Sequence, residues 1–229
     1  MNLVYINSAN GLSKAALETV TYAKKLGTDV TVITNGTASA DQLASLGAYG
    51  ASTVLQDSSV DGQDPSQLVK MVAAAAQKVG ASTIIFSHDL IGKAVAPRLS
   101  VRLKAGLVAG AVALPEANGS IKVNVFSGKA FGYVSVNSSV RIISLLPNSI
   151  QPEQTGSNCG VEAFDSQAGS SAITIKATKK PEGAIPLPEA ELVVSAGRGL
   201  KGPENWGMVE DLAAALGPRL ADRHVSLLV

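Results

Sequence analysis

The chain has 229 residues, 46% of them hydrophobic, and a formal net charge of +1 at pH 7. This size and hydrophobic content suffice for one large domain or two modest ones with a buried core. The balanced charge argues against a nucleic-acid-binding protein and against a general attraction to anionic membranes. One cysteine, Cys159, and the lack of a visible targeting signal or membrane-spanning run predict a cytoplasmic protein without a disulfide, a metal site or membrane insertion.

Strands and helices alternate along the first part of the chain. Apolar runs predict strands at 3–6, 29–34, 52–56 and 82–87. Helical patterns separate these strands at 13–26, 41–46 and 66–79, each followed directly by a glycine: Gly27, Gly47 and Gly80. Parallel strands need crossover connections of this kind, so the pattern predicts a doubly wound α/β domain with a mainly parallel sheet.

The pattern changes after Gly106, where apolar segments are joined by short turns. These segments, at 107–114, 121–126, 130–136, 140–146 and 161–164, are predicted to be antiparallel additions to the sheet. Residues 173–178 predict one more strand. The lysine, proline and glycine residues of 179–188 indicate a linker. We therefore expect an N-terminal α/β domain over 1–188 and an incomplete second α/β domain over 189–229.

The second domain begins with a glycine-rich motif. A predicted strand at 191–195 is followed by Gly197, Gly199 and Gly202 in a G-x-G-x-x-G pattern, and a predicted helix at 204–216 follows. The acidic residue that should end the next strand of a dinucleotide-binding fold is missing, since Asp222 precedes the apolar run there. Two interpretations stay open: a phosphate site formed by backbone amides beside Arg198 and Lys201, or a plain turn with solvated charges.

Residues 87–89 read Ser-His-Asp at the end of a predicted strand and the start of a helix. Consecutive residues cannot converge as a catalytic triad, so helix capping by Ser87 or Asp89 is the favoured interpretation. Neither Cys159 nor His224 has neighbours in sequence that indicate chemistry. We therefore predict no catalytic residues among them.

Three segments together resemble a known family. Residues 192–206, Leu-Val-Val-Ser-Ala-Gly-Arg-Gly-Leu-Lys-Gly-Pro-Glu-Asn-Trp, with Val209 to Ala213, closely resemble the opening of the FAD domain of electron transfer flavoprotein α subunits. Residues 92–99 (Gly-Lys-Ala-Val-Ala-Pro-Arg-Leu) and 126–130 (Phe-Ser-Gly-Lys-Ala) are similar to the N-terminal domain of the same family. The order and the spacing of the segments agree with that family.

The resemblance implies a heterodimeric electron carrier rather than an enzyme. Its α subunit pairs with a β subunit, accepts electrons through FAD from flavin dehydrogenases of the acyl-CoA type, as in fatty acid β-oxidation, and passes them to a quinone reductase. The second domain supplies most of the FAD site, and the arginine that matches Arg198 lies near the cofactor. Together with the phosphate interpretation, this gives the cofactor-binding candidates Gly197, Arg198, Gly199, Lys201 and Gly202.

The resemblance ends near residue 217, whereas α subunits continue with two further FAD-binding segments that are missing here. The expectation from the sequence is therefore a C-terminally truncated α subunit that lacks most of its FAD site. Two alternatives remain: a flavin-free assembly module that pairs with a β-like partner, and a nucleotide-binding α/β protein.

Overall fold

The computed structural model describes residues 1–9, 11–177 and 193–216. The chain divides into two compact units, Met1–Thr174 and Ile175–Val229. The predicted linker at 179–188 lies outside the described residues, as does the predicted domain boundary near 188.

The first unit contains nine strands. They are β1 (Asn2–Asn7), β2 (Val30–Asn35), β3 (Thr53–Asp57), β4 (Thr83–Ser87), β5 (Gly106–Ala111), β6 (Ile121–Val125), β7 (Ala130–Val134), β8 (Arg141–Leu145) and β9 (Gly160–Ala163). They form one sheet in the order β7-β6-β5-β8-β4-β1-β2-β3-β9. Four helices flank the sheet: α1 (Lys14–Lys25), α2 (Ala40–Ala44), α3 (Pro65–Val79) and α4 (Leu90–Leu103).

Both faces of the sheet are covered. Leu3 and Tyr5 of β1 belong to one buried cluster, which also contains residues of α3 and α4. Val4 and Ile6 belong to a second cluster, which contains residues of α1 and α2. Alternate side chains of a strand point to opposite faces, so the apolar run of β1 is buried on both sides, as expected of a parallel sheet. The predicted α/β class, with a mainly parallel sheet and antiparallel members, is confirmed.

The prediction that every segment after Gly106 is antiparallel was wrong for three strands. β5 and β8 pair in parallel, β8 pairs in parallel with β4, and β9 pairs in parallel with β3. Only β6 and β7 are antiparallel. The hairpin β6–β7 connects β5 to β8 in the place where a crossover helix would be expected. Because of this connection, β8 runs parallel to β5. Short turns in the sequence therefore did not mean antiparallel pairing throughout.

Most helix ends follow the sequence signals. The Ser13 side chain caps α1 by accepting from the Ala16 amide, and α3 ends at Gly80, which has a φ of 61°. The predicted end of the second helix at Gly47 was wrong, because α2 continues as a 3₁₀ turn over Ser45–Tyr49. A Cβ at Gly47 would lie 2.5 Å from the Cys159 nitrogen, so close packing rather than helix termination explains this glycine.

The described part of the second unit contains two short 3₁₀ turns, Arg198–Leu200 and Pro203–Asn205, followed by α5 (Gly207–Leu216). The predicted helix at 204–216 is confirmed from Gly207 onward. Of the predicted strand at 191–195, the first two residues lie outside the described part of the chain. The predicted strand at 173–178 was wrong over 173–177, where the backbone is irregular and the Ile173 amide donates to Ser171 Oγ. Among the described helices, none is long and apolar enough to cross a membrane.

Candidate functional site

The glycine-rich loop, defined here as residues 197–202, folds into a tight turn. The Leu200 amide donates to the Gly197 carbonyl at 3.1 Å, and the Gly202 amide donates to the Leu200 carbonyl at 2.8 Å. The Asn205 side-chain amide donates to the same Leu200 carbonyl at 2.7 Å. These bonds use two of the amides that the sequence offered for an anion, so the phosphate interpretation rests on the amides of Gly199 and Lys201.

The surroundings of the loop glycines differ. Within the described residues, no atom lies within 4 Å of an added Cβ at Gly197 or Gly199, so a ligand can approach the backbone there. At Gly202 the Glu204 carboxylate fills that space. Because this carboxylate repels anions, the Gly197 and Gly199 side of the glycine-rich loop is the side that fits a phosphate.

The glycine-rich loop does not lead directly into a long helix. The Pro203–Asn205 turn and Trp206 lie between Gly202 and the first residue of α5, Gly207. The dipole of α5 acts most strongly at the first turn of that helix. An anion at Gly199 would lie before that turn and would gain little from the dipole. Among the described side chains of the glycine-rich loop, Lys201 is the one that carries a positive charge.

The Ser-His-Asp segment is a capping structure. Asp89 caps α4 by accepting from the Gly92 amide at 2.8 Å, which confirms the capping interpretation. His88 Nδ1 lies 2.9 Å from Ser144 Oγ, on β8. Burial lowers the pKa of His88, nearby Lys93 lowers it further, and Asp89 partly offsets both. Sequence reasoning missed Ser144, because only the β4–β8 pairing brings these two residues together.

A small cleft lies at the carboxyl ends of β1 and β4, where the strand order reverses and open α/β sheets often bind ligands. Tyr5, Asn7, Ser13, Ser87 and Asp89 are among its lining residues. Its volume of about 40 Å³ holds a few water molecules. A small-molecule site typically measures about 300–1,000 Å³, so this cleft gives no support to the nucleotide-binding alternative.

Cys159 is half-buried, and its Sγ lies 3.5 Å from the Ala44 carbonyl oxygen. Burial raises the pKa of this thiol, which keeps it protonated and unreactive at neutral pH. No group of metal-binding side chains is found among the described residues.

Comparison with known proteins identifies a family. The sequence profile of the electron transfer flavoprotein domain matches residues 2–178. This segment includes the whole nine-stranded sheet.

Individual relatives agree with the profile. The chain is 27% identical to electron transfer flavoprotein subunit alpha of Bacillus subtilis, over 74% of this chain and 54% of that protein. It is 26% identical to a probable mitochondrial α subunit of Caenorhabditis elegans, over 90% of this chain and 63% of that protein. It is 30% identical to the α subunit of Mycobacterium leprae, over 94% of this chain and 70% of that protein. The chain thus spans about half to two thirds of the length of the first two relatives. It belongs to the electron transfer flavoprotein family and is of the α-subunit type.

Proposed function

We propose that the chain acts in the cytoplasm as the α subunit of an electron carrier, paired with a β subunit. The carrier takes electrons by way of FAD from flavin dehydrogenases of the acyl-CoA type and passes them to a quinone reductase. The observation that carries this proposal is the family match over residues 2–178, followed in sequence by the glycine-rich loop.

The two parts of the chain have different roles in this proposal. The first domain, with a boundary near residue 188, pairs with the β subunit. The glycine-rich loop contacts one FAD phosphate through Gly197, Arg198, Gly199 and Lys201, whereas Gly202, expected from the sequence to take part, has its amide bonded to the Leu200 carbonyl and lies beside the Glu204 carboxylate. Limited proteolysis tests the boundary, since the first cut should fall within 179–190. Early cleavage inside 1–178 would contradict it.

The phosphate contact is too weak to hold FAD by itself. One charge-assisted hydrogen bond contributes about 1.5–3 kcal/mol, whereas a dissociation constant of about 1 mM already requires about 4 kcal/mol of net stabilisation. Ordering a flexible dinucleotide costs several kcal/mol more. We therefore expect the 229-residue chain alone to bind FAD with a dissociation constant weaker than about 1 μM.

A second candidate function is a flavin-free assembly module that pairs with a β-like partner. It is favoured by one observation: the complete sheet and nearly all of the family profile, residues 2–178, fall in the first unit, whereas the glycine-rich loop lies in the other. In that case the first unit would bind the β-like partner, and the chain would carry no flavin.

One experiment separates the two functions. The chain is co-expressed with a β subunit, the complex is isolated by size-exclusion chromatography, and FAD binding is titrated by fluorescence quenching. Flavin binding and reversible reduction in the complex support the electron carrier. Stable pairing without flavin binding up to about 1 mM supports the assembly module, and failure to pair contradicts both.

A further inference from the structure

Strand β7 lies at one end of the nine-stranded sheet, so one of its edges is open. β6 pairs with it on one side, and no described segment pairs with the other side, called here the β7 edge. The strand reads Ala-Phe-Gly-Tyr-Val, without charge or proline. Natural proteins commonly protect edge strands with such residues, as at the other end of the sheet, where Glu162 of β9 pairs with Lys78. The β7 edge is therefore available to a further strand.

The β7 edge presents the backbone groups of Phe131 and Tyr133. The Lys122 carbonyl of β6 accepts from the Val112 amide at 3.0 Å, so the backbone of Lys122 faces β5 rather than β7. Tyr133 lies opposite Lys122 in the β6–β7 register, and Phe131 lies two residues before Tyr133. The backbone groups of alternate residues point to opposite edges of an antiparallel strand. The N–H and C=O groups of Phe131 and Tyr133 therefore point away from β6.

The residues of the β7 edge are arranged symmetrically about Gly132. When two copies of the strand pair antiparallel about this residue, Phe131 of each copy lies opposite Tyr133 of the other. Both residues point their backbone groups outward, so each such pair exchanges two hydrogen bonds, and the two pairs together form four. The edge is therefore complementary to a second copy of itself.

Gly132 fits the centre of such a pairing. The fold of a single copy does not require glycine there, because an added Cβ would lie 3.4 Å from Val125 Cγ1 and 3.5 Å from Val123 Cγ2, in ordinary contact. A glycine within a strand often marks the close approach of another backbone. In the pairing about Gly132, the two glycines face each other at a position without hydrogen bonds, where Cα atoms approach to about 4.5 Å.

The exposed side chains of β7 match across the same pairing. Phe131 is 57% exposed and Tyr133 is 55% exposed, and both point to the same face of the sheet because they are two residues apart. The pairing places each Phe131 ring directly opposite Tyr133 of the other copy, and cross-strand aromatic pairs stabilise a sheet. Each copy has a net charge of only +1, so repulsion between the copies is small.

We propose that a second copy of the chain adds to the sheet at the β7 edge and forms a two-fold dimer in which Phe131 lies opposite Tyr133. This inference concerns the chain by itself and does not rest on the proposed electron-carrier function. The strand has 5 residues and spans about 17 Å, so the interface is small. The dimer is therefore reversible, with a dissociation constant of about 10–100 μM.

The test compares two edge variants that differ in the sign of one charge. Phe131→Lys/Tyr133→Lys places like charges opposite each other across the two-fold axis, whereas Phe131→Lys/Tyr133→Glu places opposite charges there. Leu90→Lys/Val101→Lys is the matched control, since it changes two exposed apolar residues on α4. Sedimentation velocity measures the mass of each purified chain from about 1 to 300 μM, at low and high salt. Circular dichroism checks that each variant folds.

We expect wild type and the α4 control to approach twice the chain mass of 23.3 kDa as the concentration rises. Phe131→Lys/Tyr133→Lys should raise the dissociation constant about tenfold or more. Phe131→Lys/Tyr133→Glu should associate more tightly than that variant at low salt, and high salt should reduce the difference. A wild-type chain that stays monomeric over the whole range would overturn the inference, as would equal association of the two edge variants at low salt.

Pairing with a β subunit is measured on the same variants, so that the β7 edge and the proposed heterodimer are tested separately. Both edge variants should pair with the β subunit as wild type does, while self-association weakens in Phe131→Lys/Tyr133→Lys. Loss of β-subunit pairing in this variant, together with a monomeric wild-type chain, would overturn the inference and assign the β7 edge to the β subunit. Failure of every chain to pair with the β subunit would contradict the proposed function and leave the dimer standing.

Discussion

Residues 1–174 and residues 193–216 differ sharply in how they are packed. The first region holds two buried clusters, one on each face of the sheet. In the second, Val209 is the one buried hydrophobic residue among those described, while Met208 is 67% and Leu212 is 52% exposed. Burial of apolar area is the main source of stability, so the first region carries the fold.

The sheet and the glycine-rich loop thus lie in parts of the chain that differ in packing. The sequence motif that most closely resembles the family lies in the region with the least burial. The family profile matches 2–178, where the packing is extensive. Substitutions should therefore affect stability in the first region and the proposed flavin contact in the second.

The largest expected effect is in the core. Phe86 is fully buried on β4, with its ring 5.6 Å from that of Tyr5. Phe86→Ala should lower the free energy of unfolding by about 3–5 kcal/mol, because it removes apolar contacts and leaves a cavity. Leu212→Ala, on α5, should change it by less than about 0.5 kcal/mol. Urea unfolding followed by circular dichroism measures both. Equal losses for the two variants would contradict the comparison.

A smaller loss is expected at the start of α3. Buried Asp64 accepts from the Ser66 amide at 2.8 Å and from the Ser171 hydroxyl at 2.7 Å. Asp64→Ala removes the helix cap and leaves Ser171 without this acceptor, which should cost about 1–3 kcal/mol. Asp61→Ala, in the exposed loop before α3, is the matched control and should cost less than about 0.5 kcal/mol. An Asp64 variant as stable as its control would show that this cap is dispensable.

Acid should weaken the same region. The hydrogen bond from Ser171 lowers the pKa of Asp64 below its ordinary value of 3.8. Burial alone would raise the pKa of Asp57, but hydrogen bonds from Ser166 and Ser59 outweigh burial and lower it. A lowered pKa means that the folded state favours the charged form. The stabilisation is thus complete when the pH lies above the ordinary pKa of the carboxyl group, and it is lost as the pH falls through the pKa of the folded state. Unfolding free energy measured from pH 5 to pH 2 should decline in wild type and decline less in Asp64→Asn.

The smallest effect is expected at Glu18, on α1. Burial raises the pKa of this carboxyl, while the Asn148 amide and Lys14 partly offset the shift. Its Oε1 is buried without a hydrogen-bond partner among the described residues. The folded state therefore favours the protonated form, and stability declines as pH rises from 4.5 through the folded pKa. Glu18→Gln should be as stable as wild type at pH 7, or more stable by up to about 1 kcal/mol. A clear loss at pH 7, with Glu153→Gln as control, would contradict this assignment.

Local signals in the sequence predicted local structure well. Alternating apolar runs and helical patterns predicted β1 to β4. Ser13 caps α1, which follows β1, and Asp89 caps α4, which follows β4. Features that depend on distant pairings could not be predicted in this way. The insertion of β8 between β4 and β5 and the contact of His88 with Ser144 both depend on where the chain returns to the sheet. The hydrogen bonds from Ser166 to Asp57 and from Ser171 to Asp64 likewise join residues that are far apart in sequence, so local patterns could not predict them.

The central claim is that this α-type chain contacts FAD through the glycine-rich loop while its first domain pairs with a β subunit. Its most direct test is equilibrium titration of FAD onto the chain–β complex, comparing wild type, Arg198→Ala and the control Lys129→Ala. The account predicts that Arg198→Ala weakens FAD binding about tenfold or more, as expected for loss of one charge-assisted hydrogen bond, and leaves pairing intact. Equal FAD affinity in wild type and Arg198→Ala, or no FAD binding by the complex at all, would contradict it.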